Sequence, residues 1–475
     1  MKLNQAQAIA RRYSVCGLAT LLIGCVGKPP ASSIGKVAGV APGSWSATQQ
    51  AKAGVDDNWV SRFGDSRLNG LVREALSQNH DMRIAAERVY RAAEAAKISD
   101  ATSRPQVGLS ADGTRQKVNY VGFPFGGAFI SNSFGVEMSV DWEPDIWGSA
   151  RAGKSAALAE WQAGGQDYRA ARASLAAQVC KAWFALAEAN EQVALAKEAL
   201  AIRKKTETAV RERFERNLIE EGGSASQLRL AQTDVASAKA DLSGQQGDLE
   251  SARRQLELLV GRYPAGKISG SVRMPRVPSS PPSGLPSELL LRRPDIIAAE
   301  RRYSGTIKRV KEAKLSVFPS FKLTGTSGTT TSSLGQILNS DFGVWSLGSS
   351  IALPVLTGGR VTSEIRSRRS NQREALATLH KTVLEAFGEV EKALAAERWL
   401  KRREAEMAEA VTLAKDAAQA ADDDFRDGNG DALTLFSAQT RRIQLQSQYA
   451  SLRRVRLTNR VDLHLALGGG FKVSP

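Results

Sequence analysis

A catalyst needs acid–base or nucleophilic groups that converge, and this sequence offers few. Its three histidines, His80, His380 and His464, lack the spacing of metal ligands. It contains no phosphate-cradling P-loop and no paired-glycine dinucleotide fingerprint. The reading from these residues is a protein that is not an enzyme, with no catalytic residue, no metal and no diffusible cofactor. The residue with the most informative surroundings is Cys25. Lys2, Arg11 and Arg12 form a basic segment, and Tyr13 to Ile23 is a short, mostly apolar run that ends next to it. That run is about 11 residues, too short to cross a bilayer as a helix, which takes roughly 20, but suited to the core of a signal peptide.

Leu22-Ile23-Gly24-Cys25 resembles a bacterial lipobox. Residues 1–24 are therefore expected to be a lipoprotein signal peptide cut before Cys25. The Cys25 sulfur would carry diacylglycerol and its freed amine an N-acyl chain (palmitate). Of three cysteines, Cys16 would leave with the signal and Cys25 would be acylated. Cys180, in an apolar helix, remains without a disulfide partner and reads as a packing residue.

The net charge of +16 brings nucleic acid to mind, but the arginines are scattered along long helical stretches and no nucleic-acid motif surrounds them. An anionic lipid surface, or a duct wall that prefers anions, fits better.

The elements that must position these residues are laid out twice. Asp81 to Pro105 is answered by Asp295 to Pro319, both spacings being 24. Phe134-Gly135-Val136 is answered by Phe342-Gly343-Val344, Pro144 and Gly148 by Pro354 and Gly358, Ala231-Gln232-Thr233 by Ala438-Gln439-Thr440, and Val260-Gly261 by Leu467-Gly468. Such preserved order marks a duplicated unit. Each half predicts one very long helix. The first, Gly148 to about Arg216, lacks proline, spans about 100 Å, and has one blemish in Gly164-Gly165, at a cost of about 2 kcal/mol. Leu175, Val179, Ala182, Leu186, Ala189, Val193, Ala196 and Leu200 step alternately by four and three, as do Met407, Val411, Ala414, Ala418, Ala421 and Phe425. That spacing holds a seam toward a partner helix, as in a coiled coil.

Each half also predicts two strands of period two. Val107, Leu109 and Ala111 alternate with Gly108, Ser110 and Asp112; residues 134–142 are apolar at even positions; Phe321 and Leu323 flank Lys322; and Trp345, Leu347, Ile351 and Leu353 share a face. In a transmembrane barrel this is lipid outside and water inside. Tyr120, Phe123, Phe125 and Phe129 suit an interfacial aromatic belt. Four strands cannot close a membrane barrel, and an open edge in hydrocarbon leaves amides without partners. Three copies would supply twelve strands.

With these elements in place, the chain resembles the TolC-like outer-membrane efflux family in its NodT-type lipoprotein branch. The resemblance runs from about residue 22 to 471. It rests on Trp59, Phe63-Gly64-Asp65 and Leu68; Leu289 to Asp295 leading to Ala299-Glu300-Arg301; Pro354 to Arg360; Glu389-Val390-Glu391-Lys392-Ala393-Leu394; Ala438-Gln439; and Ala466 to Phe471. It implies an α+β membrane protein with an internally duplicated helix–strand–strand–helix repeat. A trimeric twelve-stranded β-barrel would continue into a long periplasmic α-helical barrel. The expected division is signal 1–24, lipidated tether 25–62, first repeat 63–262, linker strap 263–288, second repeat 289–471 and tail 472–475.

The implied function is the outer-membrane channel subunit of a tripartite efflux pump, a passive exit duct for drugs and other small toxic compounds. The implied partners are two further copies, a periplasmic adaptor (membrane fusion) protein, an inner-membrane pump of the proton-driven RND type, and outer-membrane lipid, with no nucleic acid. An outer-membrane duct for type I protein secretion is the alternative within the family, and a poreless periplasmic coiled-coil lipoprotein the alternative outside it. The resemblance also implies a periplasmic gate at the helix tips, near 214–226 and 425–437. Its candidate residues are Phe425, Arg426, Asp427, Asp431 and Leu433. Ser437, Thr440 and Gly430 depart from the family's usual aspartate, arginine and acidic residue.

Overall fold

The computed structural model describes residues 30–31, 41–47, 58–119, 128–218, 224–268, 273–279, 286–427 and 429–469. The first round of elements is α1 (Ser66–Gln78), α2 (His80–Ala101), β1 (Gln106–Asn119), β2 (Ala128–Trp142), α3 (Ser149–Glu215) and α4 (Ala225–Val260). The second is α5 (Pro286–Arg292), α6 (Pro294–Leu315), β3 (Ser320–Thr331), β4 (Gly343–Ala352), α7 (Arg360–Arg426) and α8 (Ala432–Ala466). Helices α2 and α6 each have 22 residues, and α3 and α7 each have 67, so the duplication extends to length as well as order.

Matched residues also do matched work. Gly148 and Gly358, which precede the two long helices, have φ of 84° and 57°, a region open to glycine at little cost. Gly261 and Gly468, just past α4 and α8, have φ of 85° and 70°. A Cβ on Gly261 would fall 2.9 Å from the Gln78 carbonyl oxygen, so the end of α4 lies tight against the end of α1. There Asn79 Nδ2 donates to the Leu259 carbonyl at 2.9 Å; at the equivalent place Arg293 Nη1 donates to the Ala466 carbonyl at 3.1 Å.

The paired glycines Gly164 and Gly165 lie within α3 without interrupting it. Once a helix is nucleated each further residue adds its own hydrogen bond, so a local penalty of about 2 kcal/mol does not stop propagation.

The chain divides into two compact units: residues 1–33, 91–162 and 301–376, and residues 34–90, 163–300 and 377–475. The first contains a single antiparallel sheet in the order β1-β2-β3-β4. Below it α3 and α6 approach closely: a Cβ on Gly305 would sit 3.4 Å from both the Ala156 carbonyl and the Ala159 methyl. Lys154 and Asp100 add an ion pair of 2.6 Å. The Lys154 hydrogen bond, with help from Arg104, holds the Asp100 carboxyl below its usual range against the upward pull of burial.

The second unit holds a core built on Trp59, Phe63, Leu68, Phe184, Leu256 and Val461. From the α3 seam Leu175, Val179, Ala182, Leu186 and Val193 are buried, and from the α7 seam Val411, Ala414 and Ala418. Two parts of the stretch assigned to the tether are packed in. Residues 59–63 form a helical turn in which Trp59 is fully buried and stacks on His464 at 5.4 Å. Trp45 packs edge-on against Phe387 at 6.0 Å. Large aromatic surface drives both, and a free tether would leave it in water. Cys180 is fully buried, and burial pushes its thiol well above the ordinary value. No described helix is long and apolar enough to cross a membrane.

Candidate membrane sheet and periplasmic tip

Strand pairing sorts the sheet into two faces. The pairs Val107–Val140, Leu109–Met138, Ala111–Val136, Phe321–Ile351 and Gly325–Leu347 share one side with Phe134, Trp142, Leu323 and Trp345. On the other side lie Ser110, Asp112, Glu137, Ser139, Asp141, Lys322, Thr324, Thr326 and Ser346. Successive side chains of a strand point to opposite faces, so the alternation in the sequence becomes one apolar and one polar surface only when all four registers agree. They do over most of the sheet; Val344, Val118 and Phe129 are apolar residues on the polar side, and toward the hairpin end Arg115 and Lys117 fall in the register of the apolar side. Val107, Leu109, Leu347 and Ile351 are each more than 60% exposed, so none of the described residues covers the apolar face at these positions. Lys322 pairs with Asp141 across β3 and β2 at 3.0 Å, leaving Asp112 and Glu137 as net charge on the polar face.

The aromatic residues fall differently from expectation. Tyr120, Phe123 and Phe125 lie outside the described residues. Phe129 pairs with Val118, in the register of the polar side, because an odd position of β2 points away from the apolar face. The aromatic residues that flank the apolar band are Phe134 and Trp345 toward the hairpin ends and Trp142 and Phe321 toward the helix ends. Beside the latter, Trp147 stacks on Phe318 at 5.0 Å and donates from Nε1 to the Pro319 carbonyl at 2.7 Å. The indole thus keeps an apolar body and one satisfied polar end, the arrangement favoured at a membrane boundary.

At the second tip, α7 ends at Arg426 and α8 starts at Ala432. Arg426 is tied to Asp422, one turn back, at 2.5 Å. The Asn429 and Gly430 N–H groups donate to the Asp424 carbonyl at 2.9 and 3.0 Å. Gly430 is the residue that fits there, since a Cβ would lie 3.0 Å from Asp424 Cβ and Phe425 N. Asp431 is the N-cap of α8: its Oδ1 accepts from Thr434 N at 2.9 Å and its Oδ2 from the Thr434 hydroxyl at 2.6 Å. That hydroxyl first, then backbone N–H groups, hold the Asp431 carboxyl below its usual range. Asp427 is exposed, Phe425 half-buried, and Leu433 is 79% exposed on the first turn of α8. The first tip is built otherwise: α3 ends through Asn217 at φ 56°, and Ser224 with Gln227 forms a capping box. Cys25 lies outside the described residues.

The sequence motifs that looked like labels meet as contacts. Arg293, 9% exposed as a side chain, pairs with Asp295 at 2.6 Å and with Glu389 at 2.7 Å. Glu391, two residues on, accepts from the N–H groups of Ser46 and Ala47 at 2.6 and 2.9 Å. Two further anchors went unread in the sequence. Glu257 accepts from the N–H groups of Gly266, Lys267 and Ile268; burial pushes its carboxyl up, but these donors and Arg254 bring it below the usual range. Arg456 and Arg460 converge on Glu397, with Glu404 also on Arg456. Carboxylates are plentiful in this chain, and nothing local distinguishes these.

A sheet with one lipid-like face, beside long paired helices, is the architecture of a known family of ducts. The outer membrane efflux protein family matches residues 71–262 and 285–469. The chain belongs to that family. Among its relatives, the pyoverdine export outer membrane protein OpmQ of Pseudomonas putida is 29% identical over 98% of both chains. The cation efflux system protein CusC of Escherichia coli is 26% identical, over 91% of this chain and 93% of its own. The solved outer-membrane channel OprN is 26% identical, with a TM-score of 0.81 over 90% of this chain and 97% of that one. This efflux protein therefore has a TolC-like, mostly helical fold and acts in the outer membrane as an efflux component.

Proposed function

We propose that three copies of this efflux protein close into a twelve-stranded barrel continued by a helical tunnel, forming the passive outer duct of a tripartite pump. One observation carries the reading: a four-stranded sheet with an apolar and a polar face whose outer strands, β1 and β4, have no neighbour on their far sides among the described residues. Amides left unpaired in hydrocarbon cost several kcal/mol each, and a sheet of four strands cannot curl onto itself. Edge pairing between copies removes the unpaired groups and encloses the polar face around water.

Energy would come from an inner-membrane transporter, of the proton-driven RND type, joined through a periplasmic adaptor. OpmQ is named for pyoverdine export and CusC for cation efflux, which supports small-molecule cargo over the secreted proteins of a type I system. The chain would be anchored by lipid on Cys25, after removal of residues 1–24, with a tether that is packed in at Trp45 and Trp59 and with repeats, strap and tail divided as the sequence suggests.

The tip around Phe425–Leu433 would form the periplasmic gate. Asp431, ionised as a cap, would approach its copies at the threefold axis, with Leu433 as the apolar constriction and Asp427 beside them. Phe425 and Arg426 would brace the end of α7. Full-length protein reconstituted in lipid vesicles, with chemical cross-linking, tests the duct: cross-linked trimers and ion conductance are expected. A monomer that leaves the vesicles tight to ions would end the proposal.

A further inference from the structure

The unit that holds the sheet also holds a cleft of about 260 Å³ between α6 and α7. Its lining includes Lys314, Arg369 and Arg373 and no carboxylate. None of these three cations has an ion-pair partner among the described residues. Their neighbours on the same two helices do: Arg309 pairs with Glu312 at 2.9 Å and Arg368 with Glu364 at 2.7 Å. Tyr303 and Val310, 3% and 6% exposed, line the cleft and give the long basic stems apolar surface to lie on. All three are exposed to solvent at the cleft, an entering anion would relieve what repulsion screening leaves, and guanidinium groups match the geometry of phosphate oxygens.

We propose that this cleft binds a phosphate group, and that the phosphate is the headgroup of an anionic phospholipid. Its place favours the lipid source over a free ion. Lys314 is the next-to-last residue of α6, and the exposed apolar residues Val317 and Phe318 follow three and four positions later, before β3 begins at Ser320. Trp147 stacks on Phe318 at that same boundary. The headgroup layer begins where the apolar band ends, and it is about 5–8 Å deep on each side of the hydrocarbon core. The flexible side chain of Lys314 reaches across such a distance. Cations near an anionic lipid surface gain roughly fivefold in binding each. This inference rests on the sheet lying in the bilayer, as proposed above.

The test uses the full-length protein in lipid nanodiscs of phosphatidylcholine with one-fifth phosphatidylglycerol (an illustrative composition of about 20%), followed by native mass spectrometry of retained lipid. Wild type is expected to retain phosphatidylglycerol over phosphatidylcholine by roughly tenfold or more, and the triple variant Lys314→Gln, Arg369→Gln, Arg373→Gln to lose that preference. A second triple variant, Lys204→Gln, Lys205→Gln, Lys239→Gln, removes equal charge elsewhere and should leave the preference intact. Equal loss in both variants would reduce the effect to bulk charge and overturn the site. Displacement of the lipid by millimolar inorganic phosphate would make it a small-anion site and overturn the headgroup assignment. Equal retention of both lipids by wild type, with lower trimer stability in the first variant, would assign the cations to a contact between copies instead. Protein that fails to insert at all would sink the duct itself; protein that inserts but shows no preference sinks only the lipid site.

Discussion

Single residues in this protein carry more than one duty, and the duties can be separated. Asp431 is firmly a helix cap, whatever it does at the channel axis. Asp431→Asn keeps an acceptor for Thr434 but removes the charge, whereas Asp431→Ala removes both. Single-channel recordings in lipid bilayers should show a larger open fraction and weaker block by divalent cations in both variants; an unchanged closed fraction would take Asp431 out of the gate. Leu433→Ala should widen the same constriction. At Arg460, 1% exposed, the guanidinium depends on Glu397 at 2.5 Å. Glu397→Ala would leave a buried cation unpaired and is expected to cost about 3–5 kcal/mol, measurable as a fall in the melting temperature of the detergent-solubilised protein. Asp65 caps α1 through Arg67 and Leu68 and also accepts from Trp183 Nε1 at 2.8 Å. Asp65→Ala should cost about 1–3 kcal/mol by the same measurement.

At the scale of elements, the strap after α4 is clasped by one carboxylate, Glu257, through three backbone N–H groups. Its pKa in the folded chain lies below its unfolded value, so the stabilisation is fully present above the unfolded pKa and is lost as pH falls through the folded one. Hydrogen exchange at Gly266, Lys267 and Ile268 should therefore stay slow near neutral pH, after correction for intrinsic rates, and quicken only in acid below about pH 4. Glu257→Gln should remove that pH dependence. Much of the element pattern was open to reading in the chain: the alternation of Val107, Leu109 and Ala111, the seam from Leu175 to Val193, and the answering of Gly261 by Gly468 are all local. The clasps were not, because an acceptor such as Glu391 is defined by two N–H groups 345 and 344 residues away. The tip was legible only in outline. Its departure at Gly430 became intelligible once the close approach to Asp424 was visible.

For the whole assembly, the sign of charge on the sheet's polar face runs against the sign of the chain. The protein carries +16 overall, yet that face has Asp112, Glu137 and Asp141 against Lys322. Rings of carboxylates favour cations in a water-filled pore. Ser110→Cys in the assembled duct should react faster with a cationic than with an anionic thiol reagent applied from outside. The combined change Asp112→Asn and Glu137→Gln should bring the two rates toward equality. Cys180, fully buried, leaves little background reaction. Equal rates in the unaltered background would assign the polar face no role in selectivity.

The sequence alone determined the long helices and the four strands, written in short-range periodicity, and, through ordered motifs, the duplication, the family resemblance and the expectation of an acylated cysteine. Helical and strand periods arise from backbone geometry within a few residues, so they can be read without coordinates. The tertiary structure decided which residues meet. It set Arg293 between Asp295 and Glu389, turned Phe129 to the polar side of the sheet, packed Trp45 and Trp59 into a stretch that read as tether, and left Lys314, Arg369 and Arg373 facing one cleft. Such meetings depend on the register between elements far apart in the chain, and charge or aromatic surface is neutralised or buried only where that register brings a partner.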